Sequence, residues 1–454
     1  MTETDDEATA QAWTALGGPA ELVGAVSYRE AAGVLPARLP VREAARATVG
    51  ACSLAAAELA AERGGGPVAA VRVDEGAVAT AFVSERHLRI DGRAPTSFAP
   101  LSGFWRAADG WVRTHANYPH HRARLLDALG IADTGGDQVL ARRLAEELGG
   151  RRAEQAQQDV YAAGGLCVAV AAGPGGRVGP LVERRAVGAG ALRPLPDSAR
   201  PADGVRVLDL TRVIAGPVAT RTLALLGADV LRVDAPQLRE DPDAHADTGQ
   251  GKRSALLDLA DAGDRSVLED LLGSADVVVT GYRPGSLDRY GLAPEALAER
   301  RPGLVVAQLC AWGWEGPWAG RRGFDSLVQA GCGIAALEGD ADGTPGVLPA
   351  QALDHGTGYL LAAAVLRELT ERQRGGGGSR LRLSLAATAS WLLHDVRPRP
   401  RQQAEPYDPG RWLTETRSPV GLLQHALPPV QFTGGPADWA DPPTPWGSDR
   451  PSWA

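Results

Sequence analysis

Lysine is almost missing: Lys252 is the only one in 454 residues, and every other long cation is arginine. Cysteine is scarce too. Cys52, Cys167, Cys310 and Cys332 lie far apart in apolar surroundings. That spacing excludes a disulfide-stapled scaffold and reads as buried free thiols in a reducing, cytoplasmic setting. No Cys or His cluster has metal-ligand spacing, so no metal is expected; His120–His121 comes nearest and reads as an exposed loop pair. No apolar run reaches membrane-spanning length, and the start lacks a basic-then-apolar signal, so no membrane association is expected. The formal net charge of −8 argues against nucleic acid as the main partner. Charge is interspersed, apart from an acidic start at residues 2–7 that reads as a frayed end.

What is present centres on residues 204–234, GVRVLDLTRVIAGPVATRTLALLGADVLRVD. VRVLDL suits a strand buried on both faces. Pro217 falls where a helix would begin, Ala219, Leu223 and Leu226 share a helical face, and Gly227 can end it with positive φ. ADVLRVD is a second strand, which makes a βαβ unit. Such units bind ligands at the carboxyl ends of their strands. The loop lacks G-x-G-x-x-G, so a dinucleotide is disfavoured, although its amides and Arg212 suit a phosphate.

Strands and helices keep alternating through residues 252–393, which predicts a doubly wound parallel sheet. Strands are expected at 252–261, 276–282 and 304–313, and single helices over 323–337 and 352–378. Ahead of them, 41–66 is a helix pattern, 67–83 a strand and helix, 102–131 a turn, strand and helix, 137–165 helical and 165–173 a strand. Residues 191–204 read as a linker, and the tail after 397 has no clear period. Residues 54–82 echo 361–392 in plan: an Ala/Leu helix, a glycine stop, a strand and a small-residue helix.

Asp354 is the sharpest candidate for chemistry. It precedes an apolar helix, where aspartate serves as an N-cap. A carboxylate at a helix start is also held ionised by the local field, as nucleophilic attack at an acyl group requires. The small residues of His355-Gly356-Thr357-Gly358 would let a substrate approach the backbone. The echo has Glu43-Ala44-Ala45 there instead, which suggests one working site per chain. Arg321, Arg322, Arg283 and Arg289 are candidate phosphate ligands at the sheet's ligand edge, and each alone also reads as a solvated surface charge.

The stretch 204–234, then GKRSALLDL, ADVVVTGYRPGSLDRYGL, GFDSLVQAGCG and ALDHGTGYLLAAAVLRELTERQRGGGGSRLRLSL, resembles the class III CoA-transferases. That family takes in formyl-CoA and carnitine CoA-transferases and alpha-methylacyl-CoA racemase. The motifs stand in family order over 204–396. The first 200 residues resemble the family's later part, including DGWVRTHANYPHHRARLLDALG, so the order is rearranged; PPVQFTGGPADWADPPTPWG resembles its closing segment.

The resemblance implies an α/β fold: a Rossmann-like doubly wound parallel sheet with a second, smaller α+β domain. Three parts follow: 1–200, the CoA-binding domain at 201–396, and an extended tail at 397–454 packing on the large domain. It implies coenzyme A as a substrate with no resident cofactor, an acyl-CoA and a carboxylic acid acceptor as partners, and a homodimer. Asp354 falls on the family's nucleophilic aspartate. Arg212, Ile214, Ala215, Leu257, Gly281, Tyr282, Arg283, Arg289, Arg322, Gly323, Phe324 and Asp325 fall on CoA-contact positions. An acyl-CoA racemase or epimerase is the alternative, weakened because Phe324 stands where the racemase carries histidine. A CoA-binding pseudoenzyme is the other, because no glycine-rich lid loop is found.

Overall fold

A computed structural model describes residues 6–95, 98–188, 190, 194–400 and 404–454. Residues 2–5 of the acidic start, 191–193 of the linker and 401–403 of the tail lie outside the described residues.

VRVLDL forms the strand Arg206–Leu210. Val207 packs into one hydrophobic core while Leu208 and Leu210 pack into another on the opposite face. That two-sided burial is why the run is continuously apolar. Six parallel strands follow the spatial order Lys252–Leu256, Asp229–Asp234, Arg206–Leu210, Val277–Thr280, Val305–Cys310, Gly378–Ser384. Glu183–Val187 adds an antiparallel edge. Its charged sequence, ERRAV, hides it from a periodicity reading.

The helix of the first βαβ unit is Ala215–Leu225, N-capped by Ile214. Pro217 is therefore its third residue rather than its first, still inside the turn whose N–H groups lack intrahelical partners. Gly227 ends it at φ 106°. The loop before it turns at Val213, φ 72°, a conformation the sequence does not signal. The single helix expected over 323–337 breaks into Asp325–Gly331 and Ile334–Leu337, because Gly333 takes φ 86° between them.

Lys252 is an internal structural cation. Its Nζ donates to Asp209 Oδ2 at 3.1 Å and to the Pro217 carbonyl at 2.9 Å, tying a strand to the first helical turn. Burial pulls its pKa down to about 8, against the pull of Asp209.

The repeated plan is present in three dimensions. Val41–Gly64 and Ala352–Gly375 are both 24 residues long and pack on each other. Each leads through glycines into a strand and a helix, Val71–Asp74 with Glu75–Ala81 and Gly378–Ser384 with Leu385–His394. The acidic start is not frayed at Asp6. That side chain is buried, caps the helix Glu7–Ala15 by accepting from Thr9 N at 3.1 Å, and is ion-paired to Arg46. Arg46 also meets Glu75 at 2.8 Å, which makes a buried network under the N-terminal helices.

A small antiparallel sheet, Phe104–Ala107, Gly110–Thr114 and Cys167–Ala169, carries the helices Pro119–Ala128, Asp137–Gly149 and Ala153–Ala162 over its own core. The tail forms a hairpin, Leu413–Ser418 and Gly421–Ala426, that pairs with Arg89–Ile90. Beyond it, Trp439, Trp446 and Trp453 donate to Arg221 O, Asp234 Oδ2 and Leu271 O at 2.7, 3.1 and 3.1 Å. Among the described residues no helix is long and apolar enough to cross a membrane.

Candidate active site

Asp354 is the third residue of the helix Ala352–Gly375, and Gln351 is its N-cap. The expected capping role is therefore absent. The carboxyl is 6% exposed and no hydrogen bond reaches it among the described residues. Its backbone N–H instead donates to Asp325 Oδ2 at 2.9 Å. Asp325, the first residue of Asp325–Gly331, also takes the side-chain amide of Gln329, which in turn accepts from Leu348 N at 2.9 Å. A carboxylate on one helix thus secures the start of another.

This arrangement reverses the expected electrostatics. Burial, then the Asp325 and Glu85 charges, push the Asp354 carboxyl well above the usual carboxylate range. Burial raises Asp325 to about 6, although the Asp354 N–H and Gln329 oppose it. Burial and the two neighbouring acids thus favour the protonated form of Asp354, against the first-turn field. Glu85 comes from Ser84–His87 and lies 3.8 Å from His355 Nε2. The His355 ring is buried against Phe82, with centroids 5.2 Å apart, and Glu85 is close to its Nε2 without a hydrogen bond at either ring nitrogen.

Of the two glycines after Asp354, Gly358 serves packing, whereas a Cβ on Gly356 would make only ordinary contact, at 3.6 Å from Thr388 Cγ2. A Cβ on Gly358 would come within 2.6 Å of the Ala215 carbonyl, so this glycine lets two helices meet rather than admitting a substrate.

Gly323 is required for a similar reason: its Cβ would lie 2.5 Å from Ala311 Cβ and 2.6 Å from Trp312 Nε1. Phe324 stacks on His115 with centroids 3.7 Å apart. His121 is buried 5.8 Å from the same ring, which corrects its reading as an exposed loop residue. Burial and neighbouring positive groups hold His115 and His121 down to about 3, so both imidazoles are neutral.

The loops after Arg206–Leu210 and Val277–Thr280 meet: a Gly281 Cβ would lie 3.4 Å from Thr211 Cβ. Ile214 and Ala215 pack on one face of the sheet, Leu257 and Tyr282 on the other. Arg212 is engaged by Glu240 at 3.4 Å and lies 5.1 Å from the Tyr118 ring, so its charge is already matched. Arg289 folds onto Tyr290, donating to its hydroxyl at 2.7 Å. Arg321 stacks on Trp318 at 4.4 Å.

Arg283 and Arg322 do converge. Burial, then the charges of Arg283 and Arg124, depress Arg322. None of these three arginines has a carboxylate partner among the described residues; Arg283 and Arg124 touch only the carbonyls of Gly320 and Gly164, at 3.4 and 3.5 Å. An unneutralised arginine cluster of this kind suits a phosphorylated ligand. Arg124, Glu85, Arg113 and His115 were missed by the sequence reading. The pairing of Asp325 with Asp354, 29 residues away, gives no local signal.

Residues 202–411 match the family model described as CoA-transferase family III. The chain is similar to the acetyl-coenzyme A transferase nodX of Hypoxylon pulicicidum, 37% identical over 206 residues, 43% of this chain and 34% of that protein. It is also similar to the probable fatty acyl-CoA transferase Rv3272 of Mycobacterium tuberculosis, 36% identical over 196 residues, 40% of this chain and 50% of that protein. A crystal structure of the latter, titled as a hypothetical protein, aligns at 35% identity with a TM-score of 0.41, over 42% of this chain and 56% of that one. The chain spans a third to a half of the length of these curated relatives.

Proposed function

We propose that this protein is a CoA-transferase that moves CoA between carboxylic acids through Asp354. The observation that carries the reading is an Asp354 carboxyl without a hydrogen-bond partner, beside Asp325, in the segment that matches the family. Asp354 attacks the thioester carbonyl of an acyl-CoA, the C–S bond breaks, and CoA thiolate leaves a mixed anhydride. The thiolate then attacks the aspartyl carbonyl, releasing the donor acid as carboxylate and leaving an aspartyl-CoA thioester. An acceptor carboxylate attacks that thioester and expels the thiolate again. The thiolate takes the acceptor's acyl group and frees Asp354. No water is consumed and no electrons change hands.

The strand order supports a Rossmann-like reading of 201–396. Its first strand lies inside the sheet and the chain winds outward in one direction, then the other. Ligands of such sheets lie at the switch point, here the Thr211 and Gly281 loops. Coenzyme A is a substrate in this scheme, with Arg283, Arg322 and Arg124 toward its phosphates. The chain works in the cytoplasm as a homodimer. Residues 1–200 form the smaller part, and 397–454 is a tail bound to the large one.

The test is mass spectrometry after incubation with an acyl-CoA. A CoA adduct is expected on the peptide holding Asp354, and Asp354→Ala is expected to lower transfer by about 10³-fold or more. Transfer at the wild-type rate by Asp354→Ala would falsify the assignment. A second reading, a CoA-binding protein without turnover, is favoured by the 6% exposure of Asp354. Tight CoA binding with no adduct over a panel of acyl-CoAs selects that reading.

A further inference from the structure

We propose that Arg113 binds the second carboxylate of a dicarboxylic acid, in a subsite that residues outside the family segment add to the Asp354 site. The inference rests on the transferase reading above. Arg113 lies on the strand Gly110–Thr114 and is 7% exposed, with its guanidinium 5.3 Å from the Phe98 ring and 4.8 Å from the Phe104 ring. No hydrogen bond or ion pair reaches it among the described residues, and its Nε is buried without a partner. Other buried arginines are matched: Arg46 by Glu75, Arg221 by Asp247, Arg232 by Asp234, Arg367 by Glu58. Arg63 has no carboxylate but donates to the Pro201 and Asp203 carbonyls at 2.8 and 2.9 Å, so among the buried arginines of the described residues Arg113 alone has no hydrogen-bond or ion-pair partner.

Burial lowers the Arg113 guanidinium to about 10, opposed by the charge of Asp325, so it stays cationic at neutral pH. No hydrogen bond or ion pair joins Asp325 to it among the described residues; the Asp325 oxygens take the Asp354 N–H and the Gln329 amide instead. The same carboxylate therefore has the reacting acid on one side and an unmatched guanidinium on another. A buried cation left unmatched is costly, and a bidentate carboxylate relieves that cost. His115, two residues along the chain from Arg113, and His121, with its ring 6.3 Å from that of His115, are neutral and carry buried nitrogens with no hydrogen-bond partner, further capacity for a polar ligand. A monocarboxylate must keep its one carboxyl at Asp354 to react. What Arg113 holds is then a second carboxylate. The CoA phosphates have their own cluster in Arg124, Arg283 and Arg322.

The test is calorimetric titration of the whole protein with succinate, butyrate and CoA, paired with transfer assays using the two acids as acceptors. Succinate is expected to bind at least about 10-fold more tightly than butyrate. Arg113→Met should remove that preference, a loss of roughly 10- to 100-fold for succinate, with butyrate and CoA affinities unchanged. Arg113→Lys should recover part of it and guards against misfolding of the Met variant; should Arg113→Met fail to fold, selective weakening of succinate by Arg113→Lys decides. Equal binding of the two acids by the wild type, a preference that survives both substitutions, or a loss of CoA affinity instead would overturn the proposal. Asp354→Ala should bind succinate normally while losing transfer, so failure of the nucleophile assignment shows up separately from failure of this subsite.

Discussion

The Asp325 carboxylate takes the backbone N–H of Asp354 at 2.9 Å, which sets two acids side by side in a site almost closed to water. The internal repeat shows what the alternative looks like. Glu43 is the third residue of the matching 24-residue helix, and there Arg42 neutralises it at 3.0 Å. One half of the repeat has committed its acid to an ion pair. The other keeps its acid unpaired, the condition a nucleophile needs.

Transfer activity should rise with pH as the Asp325–Asp354 pair loses its last proton, because only the carboxylate attacks. Asp325→Asn keeps a carbonyl to accept the Asp354 N–H but removes the like charge. Its profile should shift to lower pH. Initial rates from acid to neutral pH measure this, and coincident profiles for the two proteins would remove Asp325 from the account.

The same pair makes stability pH-dependent. Both carboxyls are raised, Asp325 to about 6, so the folded state keeps protons that the unfolded chain releases at about pH 4. Stability from this source is full below about pH 4 and falls as pH rises through the folded values. Asp354→Asn should weaken that decline, leaving the variant relatively more stable at pH 7 than at pH 4. Urea unfolding at the two pH values checks the sign.

Arg322→Gln and Arg283→Gln should each weaken CoA binding by about 10-fold and reduce its sensitivity to salt, since neither arginine has a carboxylate to fall back on. Fluorescence titration at two ionic strengths reads both effects. Unchanged affinity in both variants would move the phosphates elsewhere.

Gly358→Ala should destabilise the fold by about 1–3 kcal/mol, because its new methyl meets the Ala215 carbonyl at 2.6 Å. Lys252→Met should cost about 3–5 kcal/mol by stranding the buried Asp209 charge. Denaturant midpoints measure both.

Much of the sheet was legible because its strands are buried on two faces and read as short branched runs between glycine-ended helices. The failures share a cause. The edge strand Glu183–Val187 and the tail hairpin have polar or mixed sequences whose conformation is set by a neighbouring strand. Asp6 reads as part of an acidic, solvated end until Arg46, 40 residues on, is seen to bury it. His121 reads as exposed until Phe324 covers it.

Local pattern was sufficient for the βαβ unit, the order of the strands along the chain, the long helix over 352–375, the repeat and the segment that resembles a CoA-transferase. Those features depend on residue period and turn chemistry, which neighbours in sequence supply. The protonation of Asp354, the pairing with Asp325 and the isolation of Arg113 were decided by tertiary structure. Each depends on which charges are brought together and how much water is excluded, and residues far apart in the chain control both.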